Sequence, residues 1–181
     1  EEYYDNIVLP FSPQTLKVIE LAGQMKLDID MIAPDHGLIF RGKEDVSFII
    51  EKYREMAEQK TQKKALIIYD TMWHSTEALA YQVGCGLDSV GVPYRIMFLK
   101  NHHHSEIMTE LARCGAVIVG SPTHNNGILP NVSAMLNYMK GLRPQNRIGG
   151  GFGSFGWSGE SVKTISDWLE SMKVERPAEP L

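Results

Sequence analysis

Thr71, Ser75 and Thr76 place three hydroxyls within Asp70-Thr71-Met72-Trp73-His74-Ser75-Thr76-Glu77, a loop that joins a short apolar run to a stretch of helical spacing. With the free backbone N–H groups of a helix start, these hydroxyls make a cradle for an anion. The loop contains no Lys or Arg. A nucleoside-triphosphate loop would carry G-K-[ST] and a dinucleotide fingerprint G-x-G-x-x-G, and neither is present. A neutral hydroxyl cradle suits a terminal phosphate monoester instead. A second loop, Ser121-Pro122-Thr123-His124-Asn125-Asn126-Gly127, follows a nearly continuous apolar run. Its Pro and Gly set turns, while Thr and Asn offer both donors and acceptors, the mixture that the amide-like edges of a planar heterocycle need. A third, Gly149-Gly150-Gly151-Phe152-Gly153-Ser154-Phe155-Gly156-Trp157-Ser158-Gly159, is dense in glycine and aromatics. Glycine lets backbone approach a ligand closely, and an exposed Trp157 would stack on an aromatic ring. Jointly the loops point to a flat, phosphate-bearing aromatic cofactor such as FMN.

Each loop also has a plainer reading. Ser75 serves as a helix N-cap with Thr76 incidental, residues 121–127 form an ordinary polar turn, and residues 149–159 form a glycine-rich bend with core aromatics. His124 by itself reads as a turn histidine. His102-His103-His104 reads as a solvated loop before a metal site, and Cys85 and Cys114, far apart, read as buried thiols and as neither a disulfide framework nor a metal-ligand set.

The elements that must position these loops alternate. Short apolar runs at 65–69, 94–99, 116–120 and 147–151 are each followed by helical spacing, at 75–90, 106–113, 131–141 and 158–172. Such alternation predicts parallel strands joined by right-handed crossovers, an α/β doubly wound sheet. Ligands of such sheets sit beyond the carboxyl ends of the strands, which gathers all three loops at one edge. Upstream, the pattern predicts a helix at 13–24, a short strand at 29–33, a loop at 34–37 and an amphipathic helix at 44–60. A polar stretch at 59–64 marks a domain boundary, giving residues 1–60 and 65–181 as the two parts. No fifth strand is predicted after the last helix, where the chain runs into Pro177, Pro180 and Leu181.

With 181 residues and 43% hydrophobic content, the chain can bury a substantial core. Residues 1–64 carry 9 Lys and Arg against 12 Asp and Glu, and the remainder 9 against 10, so neither part is a surface for nucleic acid. No run of eighteen apolar residues and no charged-then-apolar leader occurs, so neither a membrane span nor a secretory signal is expected, and a cytoplasmic location is.

Residues 65–180 resemble the flavodoxin domain of flavodiiron proteins. Tyr69-Asp70-Thr71-Met72-Trp73-His74-Ser75-Thr76-Glu77 is similar to that family's variant of the flavodoxin phosphate loop, with Trp73 and His74 inside what ordinary flavodoxins write as T-x-T-G-x-T. Residues 121–127 and 152–159 are similar to its flavin-ring loops, and Gly141-Leu142-Arg143-Pro144 is typical of the segment between them. Residues 3–42 resemble the end of a metallo-β-lactamase-like domain, where Ile32-Ala33-Pro34-Asp35-His36-Gly37 matches the loop that supplies the last iron-ligating histidine. The resemblance implies a flavodoxin-like sheet in the order 2-1-3-4-5 with its last strand missing, preceded by the C-terminal piece of the diiron domain. It implies FMN held by Thr71, Met72, Trp73, His74, Ser75 and Thr76, by Pro122, Thr123, His124, Asn125, Asn126 and Gly127, and by Ser154, Phe155, Gly156, Trp157 and Ser158. It implies His36 as a metal ligand, with no catalytic residue in this chain. The family's H-x-E-x-D-H cluster, its further His and its bridging Asp are absent, and one imidazole cannot hold a two-metal site. The chain is therefore expected to be a fragment that relays electrons without retaining iron unaided.

In the family, an oxidoreductase, electrons pass from rubredoxin or a similar donor through the flavin to a diiron centre that reduces dioxygen to water, nitric oxide to nitrous oxide, or both. Head-to-tail homodimers, or dimers of dimers, are implied as well. Two alternatives compete. A stand-alone FMN-dependent quinone or NAD(P)H reductase on the same fold has no use for the first sixty residues. A cofactor-free signalling domain would want an acidic pocket and a Lys after a late strand, where this sequence has Gly156-Trp157-Ser158.

Overall fold

The structure, a computed structural model, describes residues 1–178. In chain order it comprises a π-helical turn Tyr4–Val8 and a 3₁₀ turn Leu9–Phe11, then α1 (Ser12–Gln24), β1 (Met31–Ile32), β2 (Phe40–Arg41) and α2 (Lys43–Ala57). The alternating part follows as β3 (Gln62–Tyr69), α3 (Ser75–Ser89), β4 (Tyr94–Phe98), α4 (His104–Leu111), β5 (Cys114–Gly120), α5 (Pro130–Leu142), β6 (Ile148–Phe152) and α6 (Glu160–Ser171).

The four long strands form one parallel sheet in the order β4-β3-β5-β6. This is the doubly wound arrangement that the alternation predicts. Ala65, Leu66, Ile67 and Ile68 of β3 are wholly buried, as a strand covered on both faces must be. Side chains alternate across it. Leu66 and Ile68 join a cluster with Ile107, Met108 and Leu111 of α4 and with Val132, Leu136 and Met139 of α5. Ile67 and Tyr69 pack on the other face with Ala80, Val83 and Leu87 of α3 and with Phe152. The helix boundaries have local causes. Pro130 opens α5, where its missing N–H costs nothing, and Arg143 in the left-handed region closes it.

The end of the sheet differs from expectation. After α6, Val174 is buried, the Gly149 N–H donates to the Glu175 carbonyl at 2.8 Å, and the Glu175 N–H donates to the Arg147 carbonyl at 3.2 Å. The chain thus returns to the β6 edge as a single parallel bridge at the position of a fifth strand. Pro177 lies beyond that bridge, and Pro180 and Leu181 lie outside the described residues.

The segment before β3 packs on the sheet domain. Tyr4, 2% exposed, lies in the same core cluster and meets Tyr53 edge-on at 5.4 Å. Asn6 Nδ2 donates to the Ser105 carbonyl and to Thr109 Oγ1, both at 3.2 Å, while Tyr138 OH donates to Asn6 Oδ1 at 2.9 Å. β1 and β2 pair antiparallel, Met31 opposite Arg41; β1 falls within the strand expected at 29–33, whereas β2, two residues long, carries too little periodicity to be read from sequence. Two smaller expectations are corrected. His103 caps α4, its Nδ1 accepting the Ser105 N–H at 3.2 Å, and His104 is the first residue of that helix, so the triple histidine is not a free loop. Cys85 is exposed on α3, whereas Cys114 is buried.

Two charged groups are buried where the N-terminal turn meets the sheet domain. Arg147 donates through Nε to the Leu111 carbonyl at 3.2 Å and through Nη2 to the Ala112 carbonyl at 2.8 Å, closing the carboxyl end of α4. Asp5 is 4% exposed, and burial pushes its carboxyl up to about 7 despite the opposing attraction of Arg147. The folded protein therefore keeps a proton on Asp5 that the unfolded chain releases near 3.8. Stability from this group is complete below that value and is lost as pH climbs to about 7. Thermal melting should show a falling Tm between pH 4 and pH 7 attributable to Asp5, and Asp5→Asn should flatten that fall and raise Tm at pH 7.5.

Candidate functional site

The parallel register brings the carboxyl ends of three strands level. Tyr69 of β3 lies opposite Gly120 of β5, which lies opposite Phe152 of β6. The loops that follow continue the ladder for a few residues. The Asp70 N–H donates to the Gly120 carbonyl, the Ser121 N–H to the Phe152 carbonyl, both at 3.2 Å, and the Thr123 N–H to the Ser154 carbonyl at 2.8 Å. The three loops singled out in the sequence are therefore neighbours.

They enclose a hollow of about 180 Å³. Thr71, Met72, Trp73 and Ser75 line it from the first loop, Pro122 and Thr123 from the second, and Ser154, Phe155 and Gly156 from the third. Gly153 permits the approach of the last two. A Cβ there would stand 2.3 Å from the Ser121 carbonyl oxygen and 2.7 Å from Ser161 Oγ, so any side chain would push the loops apart.

The other predicted residues lie on the same three loops without lining this hollow. His74 adopts a left-handed conformation, φ 65°, and starts α3. Its Nδ1 lies 2.7 Å from Glu77 Oε2, and Tyr69 OH donates to Glu77 Oε1 at 2.8 Å. Those two hydrogen bonds hold the Glu77 carboxyl below its ordinary range, while burial and the Glu77 contact push the Tyr69 phenol up. Thr76 is fully buried, and its Oγ1 meets Ser154 Oγ at 2.9 Å, tying the first loop to the third. His124 and Gly127 exchange backbone hydrogen bonds at 3.1 and 2.9 Å around Asn125 and Asn126, whose φ values of 49° and 57° define a type I′ turn. Ser158 is half-buried, and Trp157 is almost wholly exposed.

The donor set is what a phosphate monoester needs. α3 makes its first helical bond from the Ala78 N–H to the His74 carbonyl, leaving the N–H groups of Ser75, Thr76 and Glu77 outside the helical ladder beside the exposed Ser75 hydroxyl. Trp73 at 85%, Phe155 at 63% and Trp157 at 96% exposure stand on the first and third loops, an apolar rim suited to a flat ring. A larger hollow of about 460 Å³ lies elsewhere, between α1 and α2, but its lining of Val18, Ile19, Ile32, Phe40, Ile49 and neighbours is apolar and lacks convergent polar groups.

Sequence reasoning missed the residues that brace the first loop. Asp70 is buried, and its carboxylate accepts the Thr71 N–H at 2.7 Å and Asn131 Nδ2 at 2.9 Å. Lys100, just past β4, brings its Nζ to 3.4 Å from the Thr71 carbonyl. Its position after a strand was readable, but its reach across to β3 was not. Ser161 joins from α6, where its hydroxyl accepts from Thr123 Oγ1 at 3.1 Å. His36 lies in the exposed β1–β2 loop, its ring centred 4.8 Å from that of Tyr3. Among the described residues, no three His, Cys, Asp or Glu side chains converge as a metal site, and no helix is long and apolar enough to cross a membrane.

Comparison with known proteins agrees with this geometry. Residues 67–181 match the flavodoxin family. The chain is 54% identical over 180 residues to rubredoxin-oxygen oxidoreductase of Megalodesulfovibrio gigas, covering 99% of this chain and 45% of that protein. The solved structure of rubredoxin oxygen:oxidoreductase from Desulfovibrio gigas superposes with a TM-score of 0.97 over the same shares. A nitric oxide reductase of Moorella thermoacetica is 41% identical over 99% of this chain and 44% of its own length. The flavodiiron protein of Giardia intestinalis superposes with a TM-score of 0.89 at 30% identity, over 96% of this chain and 42% of that one. The chain spans somewhat less than half the length of these relatives. It belongs to the flavodoxin family, and the flavodoxin-like domain it carries is that of the flavodiiron proteins.

Proposed function

We propose that this chain binds FMN between its three loops and serves as the electron-relay part of a flavodiiron oxidoreductase. The observation that carries the reading is the cationless cradle of Ser75 and the α3 N-terminus, opening into a hollow lined by Trp73 and Phe155, with Trp157 exposed on the same loop as Phe155. When bound, the flavin supplies one-electron redox chemistry that the protein side chains lack. The residues around it supply placement. The Ser75 hydroxyl and the N–H groups at 75–77 hold the phosphate, with Thr71 beside them and the Thr76–Ser154 contact fixing the two loops together. The hollow is too small for a whole FMN and suits its phosphate end. The aromatic rim keeps water from the ring, and the turn at Asn125 and Asn126 presents amide groups and backbone to its polar edge.

In the whole molecule, we propose that residues 1–60 complete a metallo-β-lactamase-like domain, with 65–181 as the FMN domain. His36 then adds one ligand to a diiron centre whose other ligands lie outside this chain. Relatives named rubredoxin-oxygen oxidoreductase and nitric oxide reductase support a rubredoxin-type donor and reduction of dioxygen to water, nitric oxide to nitrous oxide, or both. A head-to-tail homodimer, or a dimer of such dimers, in the cytoplasm completes the proposal and brings each flavin to the partner's metals.

Three measurements test it. The purified intact protein should show a flavin absorbance spectrum, with FMN as the released cofactor; a colourless protein that takes up no added FMN would sink the reading. Ser75→Ala should weaken FMN binding by about tenfold, the worth of one hydrogen bond to a charged group, and leave riboflavin binding unchanged in parallel titrations. Gly153→Ala should weaken both ligands by about tenfold or more and lower Tm, because the added methyl forces the Ser121 carbonyl away.

A further inference from the structure

The first loop meets an electrostatic difficulty. Asp70, 3% exposed at its side chain, fixes a carboxylate immediately before Thr71, which lines the hollow. Glu77 adds a second carboxylate in the first turn of α3, held by Tyr69 OH and His74. A phosphate monoester arrives with close to two negative charges, and the loop has no cation of its own. The two groups that hydrogen-bond Asp70, the Thr71 N–H and the Asn131 amide, are neutral. They solvate its charge without cancelling it.

One cation reaches the loop from another strand. Lys100 Nζ lies 3.6 Å from Asp70 Oδ1, donates to the Thr71 carbonyl at 3.4 Å, and sits 5.7 Å from the centre of the Phe98 ring, which itself stacks on Tyr69 at 5.1 Å. An exposed ion pair contributes little. This one joins a half-exposed ammonium to a buried carboxylate, with the carbonyl and the ring face holding the ammonium in place. Resting on the FMN reading above, we propose that Lys100 is a positioning and specificity residue: by neutralising the buried Asp70, it lets a cationless loop accept a dianionic phosphate. It acts through Asp70 and does not touch the ligand.

The test is a double-mutant cycle read as dissociation constants for FMN and for riboflavin, which lacks the phosphate, on intact protein stripped of its cofactor. Lys100→Met should weaken FMN binding about five- to tenfold, the scale of one uncancelled charge near a dianion, and leave riboflavin within about twofold. Lys100→Arg, which keeps the charge, should bind FMN like the parent. Lys100→Met combined with Asp70→Asn should return FMN binding to within about twofold of the parent, since the amide still accepts the Thr71 N–H and Asn131 can turn its own amide to match. Equal weakening of FMN and riboflavin by Lys100→Met would overturn the proposal in favour of a purely structural lysine. A double variant as weak as Lys100→Met alone would overturn it in favour of direct phosphate contact, and no effect of Lys100→Met on either ligand would overturn it by leaving the lysine no part in binding. Should Asp70→Asn lower Tm, the comparison of Lys100→Met with Lys100→Arg decides alone, contact and neutralisation then being separated by whether Arg binds FMN more tightly than the parent. A parent that binds riboflavin but not FMN, or neither, would instead bring down the FMN reading and this inference with it.

Discussion

The site depends on the parallel ladder through β3. That strand pairs with β4 on one side and β5 on the other while both of its faces are covered, so it cannot slide or tilt without breaking two rows of hydrogen bonds and exposing Leu66, Ile67 and Ile68. Because β5 carries the register on to β6, the ends Tyr69, Gly120 and Phe152 are level. Loops with little regular structure of their own thereby acquire a common frame. The absence of side chains at Gly120 and Gly153 lets the frame close tightly, with the Phe152 ring over the first and the Ser121 carbonyl against the second.

On that frame, exposed residues and bracing residues separate. Ser75 and the aromatics Trp73, Phe155 and Trp157 are exposed to solvent. Thr76, Ser121 and Ser161 are buried and spend their hydroxyls on one another's loops or on backbone. Asp70 is the most consequential brace, since it joins the first loop to α5 through Asn131 and to the end of β4 through Lys100. A buried carboxylate held by several hydrogen bonds confers rigidity on the loop that carries it. The N-terminal segment is braced in the same manner, with Tyr4 in the core and Asn6 bonded to α4 and α5, so it shares a core with the flavodoxin-like sheet.

The alternation of apolar runs with helical spacing was enough to place every long strand and helix from β3 to α6 to within a few residues, because each pattern is local and repeats over a full element. The helix start at the first loop was equally legible, with Ser75 the first residue of α3. Elements too short to show a period were not: the β2 strand that pairs with β1, the turn that buries Tyr4, and the cap formed by His103. The return of Val174 and Glu175 to the β6 edge was hidden for the same reason, a single bridge having no pattern.

From its sequence alone, this protein was determined to be a doubly wound α/β domain with a cationless, hydroxyl-rich loop and two glycine- and amide-rich loops at the same edge. Periodicity and turn chemistry reside in neighbouring residues, so they survive without a structure. Tertiary structure alone decided that nine of the predicted residues line one hollow while Thr76 turns inward, and that Asp70, Asn131 and Lys100 meet beneath the loop. Those meetings depend on which strands lie side by side and how far a side chain reaches across them, and spacing along the chain carries neither.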